Sequence, residues 1–453
     1  MSGYFWVPER PDARVWGSFA AEVGYKPEAV LAGGLVTDTR VRSTGAGGHV
    51  FMSSAAATVK AFQPITLQGQ LDSGHAVTLV NAYNHGRDGN YFGSPHYKAE
   101  YAVSGDRHVS GVDQLFSAVR FRFGDPYWLG HLRENKASAV DSDGSALSVE
   151  ISDDGNWLVY TAAAPATLRQ LKTRVVSGCL ALAELVLDQD FAARDTHVRV
   201  NDGDPWLTVH GPEFSTPPNE FDADTLLRRE ELTVERFAKW IPFNDGLDGL
   251  ASVVARPIKA PLQTQVLVVT PLVEGLHRRM PKTFEQSKFA RASPSVLKRI
   301  KEASRRAARV TATNRRNLNP QQVHVAVMDS VSHFDDVDYM QRATDLVTTV
   351  CAVIPEIAES VADLPEHLTK AHHEMAHQLP LNEESEPLEV RNLRWLVVAN
   401  ITPWLLRGLL LLEAGIDPSV LHDRYLAYGR FRYFRANVAQ FVRELGWELP
   451  SSS

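Results

Sequence analysis

Hydrophobic and polar positions alternate with a two-residue period through much of the first half of the chain. β-Branched and aromatic runs recur at Ile65 to Leu71, Ala76 to Tyr83, Leu115 to Phe123, Leu147 to Ile151, Trp157 to Thr161, Arg174 to Leu187 and His197 to Val200. Runs of this kind, bounded by turn residues, predict half-buried strands. Gly33-Gly34, Asp88-Gly89, Asp143-Gly144 and Asp154-Gly155 punctuate them as hairpins and loops, since glycine accepts the positive φ such turns demand. Helical periodicity is nearly absent here, so residues 1–220 are expected to form one large β-rich sandwich or barrel, or two small ones fused.

The pattern changes near Pro217-Pro218, and residues 221–453 read as helical. Helices are predicted over Thr225 to Trp240, followed by a loop at Pro242 to Gly249, and over Val266 to Met280. Asp335-Asp336-x-Asp338 is expected to cap a helix running to about Ala362, because carboxylates suit a helix N-terminus. A helix from Pro365, ended by Pro380, precedes an acidic loop, and a helix pair spans Arg391 to Ala414 and Pro418 to Leu445. Gly415 supplies the C-cap between them. Between 282 and 316, Val296, Ile300, Ala303, Ala307 and Val310 follow heptad-like spacing, predicting one packed stripe and one cationic face. The expected class is therefore α+β multidomain, a β-rich sandwich- or barrel-like domain followed by an all-α bundle.

Composition narrows the chemistry only modestly. The 453 residues carry a formal net charge of -7, which argues against coating nucleic acid over the whole surface. Two cysteines, Cys179 and Cys351, exclude a disulfide framework and a Cys-based zinc knuckle. The N-terminus lacks a secretory pattern, and the most apolar segment, about 395–415, is interrupted by Asn400, Pro403 and Arg407. A cytoplasmic protein with no membrane partner is expected.

The densest chemistry lies in Lys370-Ala371-His372-His373-Glu374-Met375-Ala376-His377. Two histidines four apart on a helix can share one Zn²⁺ while the intervening Glu activates water, so His373, Glu374 and His377 spell a zinc-peptidase signature. A third ligand would have to come from Glu383, Glu384, Glu386 or Glu389, none on a clear helix, and Pro380 stops the motif helix early.

A different reading comes from resemblance. Gly3-Tyr4-Phe5-Trp6-Val7-Pro8-Glu9 with Val15-Trp16-Gly17, and Leu67 to Leu71 with Val77 to Val80, resemble the N-terminal domain of ApeA-type proteins. Leu272 to Arg278 and Arg391 to Asp417 are similar to the first and last helices of the associated HEPN domain. The resemblance implies an anti-phage abortive-infection protein, a homodimer whose helical domain is a metal-independent RNA endonuclease without cofactor. It also implies transfer RNA as the substrate class and an unknown phage-derived trigger acting on a sensor domain. In that family an Arg and a His share the work. A near-neutral His can move protons, and a guanidinium grips the scissile phosphate.

Here Ala376-His377 fits the motif's ending, but the Arg is missing. His372 stands five positions before His377 and Lys370 seven before it. The resemblance thus nominates His377 as general acid/base, with Glu374 as the neighbour that orients it or tunes its pKa; spacing alone offers Lys370, or a protonated His372 or His373, as the phosphate cation. A catalytically inactive scaffold that binds RNA or a partner also remains open. Arg391 and Arg394 could supply the cation from the next helix, and Glu274 could orient one, with His277 on the same face. Arg299, Arg305, Arg306 and Arg309 are the candidate RNA-backbone contacts. The spacing of Arg42 and His49 matches the motif but falls where no helix is predicted. Tyr4, Phe5, Trp6 and Trp16 are expected to close the β core.

Overall fold

Alternation in the first hundred residues builds a closed, antiparallel ring of strands. These are β1 (Ser2–Trp6), β2 (Val15–Ala20), β3 (Glu28–Leu31), β6 (Ile65–Leu71), β7 (Ala76–Arg87) and β8 (Pro95–Lys98). They pair in the order β7-β6-β1-β2-β3-β8, and β8 returns to β7. The computed structural model describes the whole chain except residues 36–39, 45–47, 53–62, 88–93, 134–137, 218–222, 314–318, 377–385 and 448–453. Phe5, Phe19, Leu31, Leu67, Leu79 and Tyr97 fill the ring's interior, as alternate positions of a small barrel must. β4 (Arg40–Thr44) and β5 (Gly48–Met52) form a separate two-stranded hairpin.

Closure depends on β7 changing partners. Its first half pairs with β9 (Tyr101–Gly105) and its second half with β8. Between them Asn81 takes φ 52°, a left-handed conformation that Asn tolerates better than most residues, and its side chain donates to Glu100 Oε2 at 2.7 Å. From β9 the sheet continues through β15 (Leu207–His210), β14 (Ala193–Arg199), β10 (Leu115–Phe123), β13 (Gly155–Thr167), β12 (Ala146–Ser152) and β11 (Ser138–Ala139). The turn at Asp143-Gly144 joins β11 to β12 and that at Asp154-Gly155 joins β12 to β13, with φ of 97° at Gly144 and 124° at Gly155. Asp88-Gly89 lies outside the described residues.

Close backbone approach fixes the start of the ring. A Cβ on Gly3 would sit 2.3 Å from the Gln70 carbonyl oxygen of the neighbouring strand. Gly3→Ala is therefore expected to destabilise the first unit by about 1–3 kcal/mol, the range of overpacked sites, measured by urea unfolding of the full chain. Tyr4 and Trp16 do not close the core as expected. They are 48% and 43% exposed and meet edge-on, centroids 5.0 Å apart, because they are cross-strand partners on the outward phase of β1 and β2. Phe5 and Trp6 are buried.

The run from Arg174 to Leu187 is helical, not a strand. A capping box at Thr167 and Gln170 starts α1 (Leu168–Leu171), which passes through a π-helical stretch (Lys172–Val176) into α2 (Ser177–Leu187). Every residue from Gly178 to Leu187 is buried. Burial on all sides erases the amphipathic period that would have marked a helix, while the Leu/Ala-rich sequence keeps helix propensity high.

Two further helices belong with this unit. Thr233 caps α3 (Val234–Gly246), which starts later than predicted and runs through Pro242, and α4 (Leu250–Ala255) follows. Both pack on α2: Trp240 Nε1 donates to the Gly178 carbonyl at 2.9 Å, and buried Glu184 takes Arg256 at 2.7 Å. The compact units are accordingly Met1–Arg256 and Pro257–Ser453, so the division falls after α4 rather than near residue 220.

The second unit is helical. α5 (Leu262–Arg279), α8 (Tyr339–Cys351), α9 (Leu364–Ala376) and α10 (Leu388–Glu413) pack against one another, and α11 (Pro418–Ala427) and α12 (Gly429–Leu445) lie on α10. The predicted single helix from Pro418 to Leu445 is broken at Tyr428, which takes an extended conformation. α8, capped by Asp338, stops at Cys351 rather than near Ala362. α10 passes through Pro403 unbroken and is long and apolar enough to cross a membrane, but the greater part of it is buried in the unit. α6 (Pro294–Thr313) and α7 (Pro320–Ser332) form a hairpin whose neck is closed by an antiparallel bridge between Ser287 and Asp336.

Candidate functional site

α9 turns one face inward and presents the other. Leu364, Leu368, Ala371 and His372 are buried, at the spacing of a helix face. The His372 ring stacks on Tyr339 of α8, centroids 4.1 Å apart and nearly parallel. His373 is exposed, and the Lys370 side chain is 49% exposed. His377, Leu379, Pro380, Glu383 and Glu384 lie outside the described residues.

Glu374 faces α10. Arg394 Nη2 donates to its Oε1 at 2.9 Å and Nη1 to its Oε2 at 3.1 Å, while Trp395 Nε1 donates to Oε2 at 3.0 Å. Arg394 also donates to Glu386, which lies 3.6 Å from Arg391 and receives Lys370 at 3.0 Å. Burial works to raise the Glu386 carboxyl, but hydrogen bonds from Arg394 and Lys370 outweigh it and hold the group below its ordinary value. Arg391 and Arg394 are 3% and 1% exposed.

The planar fork of Arg394 thus bridges two carboxylates, joining α9 to the segment before α10. With both of its oxygens engaged, Glu374 is an anchor for its helix. Among the described residues of this cluster, Lys370 is the cation that solvent reaches. Among the described residues, no three His, Cys, Asp or Glu side chains are grouped to hold a metal ion; the motif's last histidine is not among them. Glu389 is exposed in the first turn of α10.

A second polar cluster lies deeper in the unit. His277 of α5 is fully buried, with Nε2 3.0 Å from Asp345 Oδ2 and Nδ1 3.2 Å from Arg342 Nη1, and its ring stacks on Phe284. Because the guanidinium can only donate, Nδ1 accepts and Nε2 carries the proton toward Asp345. Burial pushes the imidazole below its ordinary value, with Asp345 opposing and Arg342 assisting. Glu274 binds Arg278 at 2.9 Å and lies 3.9 Å from Arg342. Arg342 and Asp345 escaped the sequence reading. The signal was an arginine at an apolar position, since Tyr339, Arg342, Ala343, Leu346 and Val350 share the buried face of α8.

The other candidates separate. Arg299, Arg306 and Arg309 are exposed on α6, and Arg305 is half-buried. Asp335 pairs with Lys301, Asp336 with Arg278, and Asp338 caps α8 while pairing with Lys288. Arg42 and His49 lie on the β4–β5 hairpin, far in the chain from α9.

Comparison with known families bears on the first unit. Residues 1–159 match the family described as ApeA N-terminal domain 1. The first unit carries an ApeA N-terminal domain. The match covers every strand of the closed ring and ends within β13, and it ties the chain to the theme of anti-phage defence. No curated protein and no solved structure matches the chain.

Proposed function

We propose that the protein is an anti-phage abortive-infection effector whose helical unit is a HEPN-type endoribonuclease. In this reading RNA, transfer RNA first, is cleaved by metal-independent transesterification. His377 moves the proton, Lys370 meets the scissile phosphate, and Glu374 anchors α9, the helix on which Lys370 lies. The ApeA unit restrains the nuclease until a phage-derived signal arrives, and a second copy of the chain completes the site, since the motif occurs once per chain.

The arrangement of Lys370 carries the assignment. It is half exposed on the motif helix, and its partner Glu386 is already held by buried Arg394 and Arg391. Lys370 can leave for a phosphate without stranding a carboxylate, because Arg394 and Arg391 stay on Glu386. His372, stacked in the core, suits a packing role better than a phosphate contact. The engagement of Glu374 by Arg394 and Trp395 favours an anchor over the free base that a zinc-bound water requires.

The test is cleavage of transfer RNA in EDTA by the full chain and its variants. His377→Ala is expected to lose about 10²–10⁴-fold, the usual contribution of a general acid or base. Lys370→Ala should lose substantially and Lys370→Arg recover. Peptide hydrolysis abolished by EDTA, with RNA intact, would make the site a zinc peptidase. Tight RNA binding without cleavage by any form would make it a scaffold.

A further inference from the structure

The α6–α7 hairpin departs from the expected packing in a way that suggests a ligand. The stripe Val296, Ile300, Ala303, Ala307 and Val310 was expected to pack, yet all five are exposed, the three larger ones by 45%, 43% and 56% in the order Val296, Ile300, Val310. α6 instead meets α7 along the adjacent seam, where Leu297, Lys301, Arg305 and Ala308 are half-buried and Ala312 is buried. Arg299 and Arg306 border the stripe on its other side by helical spacing, and Lys298 and Arg309 lie beyond them. None of these four forms an ion pair with a described residue. Residues 282–316 hold eleven Lys or Arg against two Glu in a chain of net charge -7.

Two features must be met together, an apolar stripe without a cover and a belt of cations along its edge. A polynucleotide would satisfy the cations alone, since Val, Ile and Ala offer neither stacking faces nor hydrogen bonds to bases. A second hairpin laid antiparallel, stripe to stripe, would set the arginine belts of the two copies side by side, an unfavourable like-charge contact. An anionic bilayer surface satisfies both. A helix rich in Lys and Arg on one face and apolar on the other lies in the headgroup plane with its apolar side inserted, and flanking cations extend to the phosphates.

We propose that the α6–α7 hairpin is a peripheral membrane-binding element that inserts the Val296–Val310 stripe into an anionic lipid surface. It is independent of the ribonuclease assignment and gives the cations of α6 a lipid partner in place of RNA. Neutral lipid alone should hold it weakly, because each cation near an anionic surface contributes roughly fivefold to partitioning.

The experiment is flotation of the full-length protein with vesicles of phosphatidylcholine, alone or with phosphatidylglycerol. Binding is expected only with the anionic lipid, falling as salt is raised. Ile300→Asp with Val310→Asp, and separately Arg299→Glu with Arg306→Glu, should each reduce it at least about tenfold. Unchanged melting of both variants would show that they remain folded, as expected for exposed positions. Binding to a transfer RNA that only the charge variant loses, with no vesicle binding, would overturn the proposal in favour of RNA. A dimer dissolved by the stripe variant, with no vesicle binding, would overturn it in favour of self-association. Equal binding to both vesicles would also overturn it.

Discussion

Arg394→Ala is expected to cost the helical unit about 3–5 kcal/mol, the range found when one partner is removed from a buried ion pair. Its guanidinium is 1% exposed and serves Glu374 and Glu386, whose side chains are 14% and 13% exposed. Without it, among the described residues, Glu374 is left with the Trp395 indole, and Glu386 with Lys370 and the more distant Arg391. The loss arises mainly from stranding carboxylates in a site with little water. Arg394→Lys should recover only part, since an ammonium cannot span both oxygens of Glu374 in a fork. Arg394→Leu combined with Glu374→Gln should fall between wild type and Arg394→Ala, because it removes one unpaired charge while keeping an acceptor for Trp395. Urea unfolding of the full chain, followed by helical circular dichroism, reads these differences. A loss below about 1 kcal/mol would mean that the carboxylates are served by water and that the cluster is in effect a surface ion pair.

Acid provides an independent check on the same cluster. Glu386 is held below the ordinary value of 4.5 in the folded chain. As pH falls through 4.5 the unfolded chain takes up the proton first, so the stabilisation is complete above that value and is lost as pH falls toward the lower folded value. Arg394→Ala has already lost most of this contribution. The two stability curves should therefore approach one another below pH 4.5.

The sequence made the strands legible where one face is buried and the other is not. Leu115–Phe123 is a strand over the range its alternation predicts. The run from Leu180 to Leu187 failed for the opposite reason: it is buried on every side, so no periodicity separates a core helix from a core strand. The α6 stripe shows another limit. Heptad spacing established that an apolar face exists, but only tertiary structure shows that α7 packs on the seam beside it. At the candidate site, spacing placed Lys370 and Glu374 on the motif helix and pointed to Arg394 on the next one. That Arg394 would clamp Glu374 from inside the unit depends on how α9 and α10 cross, which no local pattern encodes. The same holds for His277, Arg342 and Asp345, which lie on two helices separated by the whole α6–α7 hairpin.

Between pH 6.5 and 4 the first unit is expected to lose up to about 3 kcal/mol through His197 alone, a figure set by a depression to about 4 at roughly 1.4 kcal/mol per unit. The residue sits on β14 within a ladder of arginines and tryptophans. Arg199 lies over Trp206 at 4.0 Å, Arg120 lies between Trp206 and Trp157 at 4.8 and 4.6 Å, and Arg122 covers Trp157 at 4.4 Å. The His197 ring lies against Trp157, and its Nδ1 accepts from Arg120 Nε at 3.1 Å and Nη2 at 2.9 Å. Burial is the larger cause of the depressed value, Arg120 and Arg122 add to it, and Asp195 and Asp154 oppose. A second ring proton would turn an acceptor into a donor aimed at a guanidinium. The unfolded chain therefore binds the proton first as pH falls below 6.5, stability drops until the folded value is reached, and the loss is constant below it. His131 and His210 are also depressed by burial and slope the same way, so the variant must isolate His197. His197→Asn keeps an acceptor for Arg120 but cannot titrate. It should be less stable than wild type at neutral pH, owing to lost contact with Trp157, and should lose less on acidification across this window. Parallel pH profiles for the two proteins would show that the ring accepts its proton without disturbing the ladder, and the assignment of Nδ1 as the acceptor for Arg120 would then be wrong.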